Sequence, residues 1–320
     1  MTYTAKTFLL LGLGFIFLLC PAAAAEAGTD VPFTRLIFQD EYFKVTAIED
    51  RPGSFDVSLF SGPASQEERA AYFDSQGKTP SSVHVLLAHH RPSGDYILID
   101  AGFGDSVPGE SRLLKALEGL GLAPSDINAI VLTHLHPDHV GGLLWQGRRA
   151  FPKAKVFLSE PERDYWLDLA RKAALKDPGN AGAALAKNAL EAYGEDVHAF
   201  RPGEFSLPIN PKVLDYYSLR PVDAHGHTPG HIAVQLMAKS EEKPKLLFIG
   251  DLLHAAALQF PRPEEYPSYD VDPQTALAAR RRVLDMAAEQ GIPVAGIHIP
   301  FPGTGTVEKY GEGYRFIPLP

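Results

Sequence analysis

The sequence predicts an α/β fold that carries its functional groups where β-strands end. Short apolar, β-branched runs recur along the chain, and Ile127–Leu132 is the clearest of them. Several of these runs lead directly into histidine or aspartate, as Leu246–Ile249 leads into Gly250-Asp251. Stretches with helical spacing of apolar residues separate the runs. Because open α/β sheets place ligand sites at the carboxyl ends of their strands, we expect one site assembled from several strand ends.

Composition describes an ordinary globular protein. Of the 320 residues, 45% are hydrophobic and 22% are charged, which is enough apolar material to bury a large core. The histidine and aspartate motifs span most of the chain, so we expect one domain over residues 28–320. The net charge of −9 argues against nucleic acid and against an anionic membrane as partners. Whether the protein is a monomer or a homodimer is left open.

Residues 1–27 are predicted to be a signal peptide that is cleaved on export. Lys6 supplies a positive charge, Phe8–Cys20 is apolar, and the following small residues offer cleavage sites. The run is shorter than the about 20 apolar residues that a membrane span needs, although an uncleaved anchor stays open. We therefore expect a periplasmic or secreted protein with no stable membrane association after cleavage. Because Cys20 is the single cysteine, the mature chain would form no disulfide.

The remaining elements are predicted from periodicity and turn signals. Two hairpins are expected early in the chain, followed by helices with apolar stripes and, over residues 62–81, a loop near the mouth of the site. The strands predicted for the hairpins are residues 42–48 with 55–60, around the turn at Arg51-Pro52-Gly53, and residues 83–88 with 96–100. The predicted helices are residues 111–122, 160–174, 183–193 and 275–290, the last with Asp272 as its N-cap. One further strand is predicted over residues 213–217.

The stretch Thr133–Gly142 follows the strand at Ile127–Leu132 and carries three imidazoles and a carboxylate. His134 and His136 are two residues apart and can converge on one metal ion. Asp138 and His139 are adjacent and, on a turn that enters a helix, can face a second metal ion. Glycines 141 and 142 let the backbone pack closely behind the site. This spacing indicates a metal site rather than a polar surface loop.

Further candidate ligands lie downstream, each near the end of an apolar run. They are His227 in Gly-His-Thr-Pro-Gly-His, Asp251 after Phe248-Ile249-Gly250, and His298 after Val294–Ile297. Imidazole and carboxylate donors without thiolate suit zinc, with manganese, iron or cobalt as alternatives. Seven donors exceed the four of a structural zinc site, which indicates a catalytic pair of divalent ions. Two such ions about 3.5–4 Å apart can bind a bridging hydroxide as nucleophile.

The order of these motifs resembles the metallo-β-lactamase superfamily over about residues 40 to 300. The resemblance implies an αββα sandwich, in which two mixed β-sheets lie face to face with helices outside. It implies that one metal is bound by His134, His136 and His227, and the other by Asp138, His139 and His298. Asp251 would bridge the two ions, which makes Asp138 and Asp251 the expected catalytic carboxylates.

Two more residues are expected to support the ligands without binding a metal. Asp100 follows a predicted core strand, and in the superfamily an aspartate at this position orients ligand histidines. The alternative is that Asp100 only caps its turn. His231 is the second histidine of Gly-His-Thr-Pro-Gly-His, and its expected role is supporting or structural.

The stretch Asp251–Pro263, with Tyr269–Pro273 after it, resembles the methyl parathion hydrolase branch and, less closely, the acyl-homoserine lactonases. This resemblance makes Leu253, His254 and Phe260 candidates for the substrate pocket, and His254 an additional candidate for a proton donor. Phe103 and Trp166 are further candidates for a pocket wall, although each can equally be a core residue.

The predicted function is hydrolysis of a small neutral lactone, ester or phosphotriester by a metal-bridging hydroxide. The sequence has no Gly-x-Ser-x-Gly motif and no phosphate-binding glycine loop, so a serine nucleophile is unsupported. Two alternatives stay open: a non-catalytic metal-binding or sensor protein, and a member of the same superfamily directed at thioesters or persulfides.

Overall fold

The computed structural model describes residues 31–107, 111–176, 181–201, 217–238 and 243–319. Val31–Pro320 form one compact unit. The predicted signal peptide over residues 1–27 and residues 213–216 of a predicted strand lie outside the described residues. Within the described residues, no helix combines the length and the apolar character that a membrane crossing requires.

Two large sheets and two short strand pairs make up the β-structure of the described residues. The strands in chain order are β1 Thr34–Gln39, β2 Phe43–Asp56, β3 Phe60–Ser61, β4 Lys78–His90, β5 Asp95–Ile99, β6 Ile127–Val131, β7 Leu144–Trp145, β8 Arg148–Arg149, β9 Lys155–Ser159, β10 Val197–Phe200, β11 Tyr217–Asp223, β12 Ile232–Ala238, β13 Leu246–Phe248, β14 Tyr266–Pro267, β15 Val294–Ala295, β16 Thr304–Tyr310 and β17 Gly313–Pro318. The helices are α1 Gln66–Ala70, α2 Leu113–Gly119, α3 Pro137–Val140, α4 Glu160–Lys176, α5 Ala181–Tyr193, α6 Ala256–Gln259 and α7 Pro273–Gln290.

Both large sheets are mixed. The seven-stranded sheet has the order β1-β2-β4-β5-β6-β9-β10, antiparallel as far as β5 and parallel from β5 to β10. The six-stranded sheet has the order β11-β12-β13-β15-β16-β17, and β13 with β15 is its parallel pair. Strands β3 with β14 and β7 with β8 form the two short pairs.

Successive side chains of each strand point to opposite faces of its sheet, and this alternation separates the layers of the fold. In β5, Ile97 and Ile99 face the other sheet and pack with Val234 and Leu236 of β12, while Leu98 points to the opposite side. The outer face of the first sheet is covered by apolar residues of α2, α4 and α5. The outer face of the second sheet is covered by α7. The layers are therefore helix, sheet, sheet, helix, and the predicted αββα sandwich is confirmed.

The predicted strand pair at residues 42–60 is wrong. A single strand, β2, runs through Arg51-Pro52-Gly53 with a bulge between Glu49 and Arg51, and it pairs with β4 along its length. The turn signal fails because β1 pairs with β2 only as far as Ile48. Beyond Ile48 no strand of the described residues pairs with this side of β2, and an edge tolerates proline, which lacks an N–H to donate.

The predicted loop at residues 62–81 is also partly ordered. It contains α1, which begins at a capping box formed by Ser65 and Glu68, and it contains the start of β4. The predicted helices agree with α2, α4, α5 and α7 within a few residues. The N-cap of α7 is Asp272, whose side chain accepts a hydrogen bond from the N–H of Thr275. Its C-cap is Gly291, which has a left-handed conformation.

Candidate metal centre

The end of β6 places the main motif at the edge of the sandwich. His136 is the residue before α3, and Asp138 and His139 lie on this single helical turn. The loop containing Ala101 packs against the backbone that follows, because a Cβ atom at Gly142 would lie 1.8 Å from the carbonyl oxygen of Ala101. The close approach that the paired glycines predicted is therefore present.

The first group of predicted ligands converges. Nδ1 of His136 lies 2.8 Å from Nε2 of His134 and 3.0 Å from Nε2 of His227. Oδ2 of Asp251 lies 3.6 Å from Nε2 of His134 and 3.4 Å from Nε2 of His227. Four side chains from three separate segments thus present one donor atom each to a common point.

The second group lies beside the first and meets it at Asp251. Oδ2 of Asp138 is 3.7 Å from Nε2 of His139 and 3.5 Å from Nε2 of His298. Oδ1 of Asp251 is 3.2 Å from Nε2 of His139, and its Oδ2 is 3.1 Å from Nε2 of His298. The carboxylate of Asp251 therefore lies between the two groups, in the position that a bridging ligand requires. Its role as a bridge stays a prediction.

The directions of the hydrogen bonds show that these donors fit cations. Nδ1 of His139, His227 and His298 each donates to an oxygen outside the cluster. Each Nε2 therefore faces a carboxylate oxygen of Asp251, and this arrangement requires positive charge, either a proton on the ring or a metal ion between the two groups. Nε2 of His139 and Oδ1 of Asp251 are buried and find no hydrogen-bond partner in the part of the chain that the structure describes. Imidazole and carboxylate donors in these positions suit zinc or a similar divalent ion.

Burial and charge set the protonation of the first group. Burial lowers the pKa of His134 well below its usual value and that of His136 to about 3. Both rings are thus neutral at pH 7, which is the state in which imidazole binds a metal. Burial also acts on His227, but its hydrogen bonds with Asp251 and Asp270 outweigh it and raise the pKa of His227 to about 9. The two carboxylates therefore draw positive charge into the cluster.

Asp100 has the contacts that its predicted supporting role requires. It follows β5 with a left-handed φ of 60°, which aspartate tolerates better than most residues. Its Oδ2 accepts hydrogen bonds at 2.8 Å from Nδ1 of His139 and from the hydroxyl of Thr133. Its Oδ1 accepts one from the N–H of Thr133. The carboxylate therefore fixes both the ring of His139 and the start of the motif loop.

His231 supports the cluster through the backbone of Asp251. Its Nδ1 donates to the carbonyl oxygen of Ala224 at 2.9 Å, and its Nε2 accepts from the N–H of Asp251 at 2.9 Å. Both ring nitrogens are thus engaged outside the metal cluster. These contacts hold the backbone of Asp251, and the supporting role of His231 stays a prediction.

Two further groups, which the sequence did not predict, hold ligand histidines in place. Nδ1 of His227 donates to Oδ1 of Asp270 at 2.8 Å, and Nδ1 of His298 donates to the carbonyl oxygen of Ser82 at 3.2 Å. Carboxylate or carbonyl partners of this kind orient ligand histidines and fix their tautomer. A backbone carbonyl carries no sequence signal. The position of Asp270 within the family-like stretch Tyr269–Pro273 was the only available hint.

A pocket of about 310 Å³ opens on the second group of ligands. Asp138 and His298 lie at its base, and Phe55 and Phe103 contribute aromatic walls. The ring of Phe55 meets that of His298 edge-on at 5.3 Å, and the guanidinium of Arg51 lies 5.3 Å from the centre of the Phe103 ring. Phe103 is thus placed where its predicted role as a pocket wall requires. Phe55 was not predicted as a pocket residue, because the sequence predicted a turn at Arg51-Pro52-Gly53 where β2 in fact continues.

The other pocket candidates are placed differently. Leu253 and Phe260 lie in the hydrophobic core beneath α7, are 1% and 2% exposed, and are not among the residues that line this pocket. Trp166 is 6% exposed, and its ring meets His136 edge-on at 5.4 Å. Nε2 of His254 lies 3.2 Å from Oδ2 of Asp251, so this ring stands within the metal cluster itself.

The model of the metallo-beta-lactamase superfamily matches residues 79–290 of this chain. The crystal structure of the hydrolase AbOPH, described as in the beta lactamase superfamily, is 28% identical and covers 88% of this chain and 96% of its own, with a TM-score of 0.76. AidC, a dizinc quorum-quenching lactonase solved with the product N-hexanoyl-L-homoserine, is 26% identical. The match covers 91% of this chain and 99% of AidC, also with a TM-score of 0.76. An uncharacterised protein of Caenorhabditis elegans is 35% identical over 69 residues, which are 22% of this chain and 18% of that protein.

Proposed function

The chain belongs to the metallo-beta-lactamase superfamily, and we propose that it is a hydrolase that uses two divalent metal ions to open lactones or cleave other small carboxylic esters. The observation that carries this proposal is the position of Asp251 between two groups of ligands. A structural zinc site closes around four donors, whereas here six donors surround the carboxylate of Asp251, and two of them, Asp138 and His298, line a pocket. The arrangement is that of a site built to admit a substrate.

Two bound ions would lower the pKa of a shared water enough to give a nucleophile at neutral pH and would polarise the substrate carbonyl. The side chains of this protein perform the remaining tasks. Asp100 and Asp270 hold the imidazoles of His139 and His227 in fixed orientations, so little reorganisation accompanies binding. His254 stands beside Asp251, and it is the candidate for the group that gives a proton to the departing oxygen. That last role stays a prediction.

In the proposed reaction water adds across the C–O bond of the lactone ring. The water oxygen bonds to the acyl carbon, the ring C–O bond breaks, and the released alkoxide takes up a proton to give a hydroxy acid. Phe55 and Phe103 supply apolar contact area next to Asp138 and His298, which suits the acyl part of a neutral ester. Similarity to the lactonase AidC supports the choice of lactones as the first class to test.

The test compares initial hydrolysis rates of the purified protein loaded with zinc, cobalt or manganese. The substrates are short- and long-chain acyl-homoserine lactones, an aryl ester and a dimethyl aryl phosphotriester, each with a chelator control. We expect the lactone or ester rate to exceed the phosphotriester rate and to vanish with the chelator. A dominant phosphotriester rate would contradict the substrate class. A protein that holds two metals and hydrolyses none of these would favour a thioester or persulfide substrate, or the sensor alternative.

The chain offers a matched pair of variants for this test. His225 and His227 are two residues apart, but His225 has an exposed side chain that contacts Asp223, whereas His227 is buried in the cluster. We expect His227→Ala to lose activity and metal, and His225→Ala to keep both. Equal loss in the two variants would show that the motif acts through its fold rather than through a ligand.

We also infer that the protein is exported, on the strength of the signal-like residues 1–27 alone. Periplasmic and cytoplasmic fractions of cells that express the full chain test this inference. Recovery of a shortened protein from the periplasm or medium is expected, and a full-length cytoplasmic protein would contradict it.

A further inference from the structure

Glu162, in the first turn of α4, is a buried carboxylate that accepts four hydrogen bonds. Its Oε1 accepts from the N–H of Leu135 at 2.9 Å and from the indole N–H of Trp166 at 2.7 Å. Its Oε2 accepts from the hydroxyl of Thr228 at 2.7 Å and from the N–H of Gly230 at 3.0 Å. The side chain is 0% exposed, and all four donors are neutral groups.

These four bonds connect the two segments that supply the first group of ligands. Leu135 lies between His134 and His136, and Thr228 follows His227 directly. The first segment comes from the end of β6 in one sheet, and the second comes from the turn between β11 and β12 in the other. One carboxylate therefore links the two sheets at the point where His136 and His227 approach to 3.0 Å.

Close packing around Glu162 leaves this link little freedom. A Cβ atom at Gly230 would lie 2.1 Å from the backbone nitrogen of Glu162, so the turn and the helix are in direct backbone contact. The hydroxyl of Ser159 donates to the carbonyl oxygen of Gly230 at 2.6 Å and adds a second tie. The ring of Trp166, held by its hydrogen bond to Glu162, meets the edge of the His136 ring at 5.4 Å.

Burying a carboxylate at position 162 costs folding free energy that an apolar side chain would not. Burial raises the pKa of Glu162, although its four hydrogen bonds oppose the shift. Burial of a charge without a cationic partner destabilises a fold unless every oxygen is satisfied. An apolar side chain would fill the space at lower cost, but it would hold neither loop.

We infer that Glu162 is the positioning residue for the metal ion held by His134, His136 and His227. It sets the separation of the two ligand loops, and it does so from outside the ligand set. The inference rests on the proposed function only in that it requires this metal to bind.

The variant Glu162→Gln tests the inference, because it keeps the size of the side chain and removes two acceptor positions. An amide NH2 would face either the Leu135 and Trp166 donors or the Gly230 donor, and at least one N–H would lose its bond. Zn²⁺ and Co²⁺ are titrated into the metal-free protein in competition with a chromophoric chelator, and the Co²⁺ absorption spectrum is recorded. We expect one of the two sites to bind about 10–100-fold more weakly and the other to keep its affinity within about threefold.

Asp50 provides a matched control. It is 0% exposed and also accepts four hydrogen bonds, from the N–H groups of Phe103, Arg112 and Leu113 and from the hydroxyl of Ser111. None of these donors neighbours a predicted ligand in the sequence. Asp50→Asn therefore imposes a comparable loss on the fold, and we expect both metal affinities to stay at the wild-type values.

Two milder variants cover the case in which Glu162→Gln does not fold. Thr228→Val and Trp166→Phe each remove one donor to Glu162 and leave the carboxylate in place, and each should weaken the same site by about three- to tenfold. Wild-type affinities in all three variants, or equal losses at both sites, would overturn the inference. A wild-type chain that binds fewer than two metals would instead remove the proposed function, so the two failures are distinguishable.

Discussion

Oδ1 of Asp270 lies 2.8 Å from Nδ1 of His227, and both side chains are buried. The second oxygen of the same carboxylate, Oδ2, accepts a 3.2 Å hydrogen bond from Arg280. Arg280 is itself 1% exposed and also donates to the carbonyl oxygens of Leu252 and Pro263. Helix α7 thus supports one predicted ligand, His227, through a buried ion pair, and it supports the backbone that follows Asp251 directly.

Asp270→Asn should weaken metal binding and activity by about 10–100-fold, because the amide is a weaker acceptor and fixes the His227 tautomer less firmly. The measurement is the same competitive Zn²⁺ titration, paired with kcat. Asp272 is the control: it is the N-cap of α7, it is exposed, and its side chain contacts Thr275. Asp272→Asn should leave metal affinity unchanged. Wild-type affinity in Asp270→Asn would show that the Asp270 contact does not orient His227.

Asp251→Asn should remove at least one metal ion per chain and lower kcat by more than about a hundredfold. The amide has a single oxygen, whereas each of the two groups of ligands requires an oxygen from this side chain. Metal content by elemental analysis and kcat on the best substrate check this. Asp223→Asn is the control, since that side chain is exposed and contacts His225, which lies outside the cluster. Full activity together with full metal content in Asp251→Asn would disprove the bridging role.

Phe103→Ala should raise KM for long-chain substrates by about tenfold with a smaller change in kcat, because the ring lines the pocket and is not itself a predicted ligand. Phe260→Ala should behave oppositely. Its ring is in the core and stacks on Phe316 at 5.0 Å, so we expect about 3–5 kcal/mol of lost stability with KM unchanged. Steady-state kinetics and chemical denaturation separate the two effects. A higher KM in Phe260→Ala would contradict its placement in the core.

The buried ring of His84 should make the fold sensitive to acid. Burial lowers the pKa of His84 to about 3, against 6.5 in an unfolded chain. The unfolded state therefore binds a proton below pH 6.5 while the folded state does not, so stability is complete above pH 6.5 and falls as the pH drops toward 3. For this one residue the loss between pH 7 and pH 5 is about 2 kcal/mol.

Chemical denaturation of the metal-free protein at pH 7 and pH 5 measures this effect. His84→Asn removes the titrating ring and keeps a donor near the Nδ1 position, so its stability should fall less between the two pH values. The difference between the wild type and the variant cancels the contribution of the other histidines. An identical pH dependence in the two proteins would contradict the assigned cause.

The sequence by itself determined the fold class and the candidate ligands. Strand β6 is recognisable because it is short and rich in apolar, β-branched residues, with four of its five positions buried, and the histidines follow it at a spacing that few structural loops share. Ligands at strand ends are signalled locally, by their own neighbours in the chain, so His134, Asp251 and His298 could be named without knowing how the segments meet. The superfamily was evident for the same reason.

Only the tertiary structure decided what surrounds those ligands. Three charged residues on or beside helices, Glu162, Asp270 and Arg280, are of types that are usually exposed, yet all three are buried. Apart from Trp166, which bonds to Glu162 from one turn further along α4, their partners lie 10 to 68 residues away in the chain, as in the pairs Arg280–Asp270 and Glu162–Gly230. A charge is buried only when such distant groups satisfy it, and no local pattern shows that they will. In the same way, Pro52 fits within β2 because β1 ends its pairing at Ile48, which is a property of the assembled sheet.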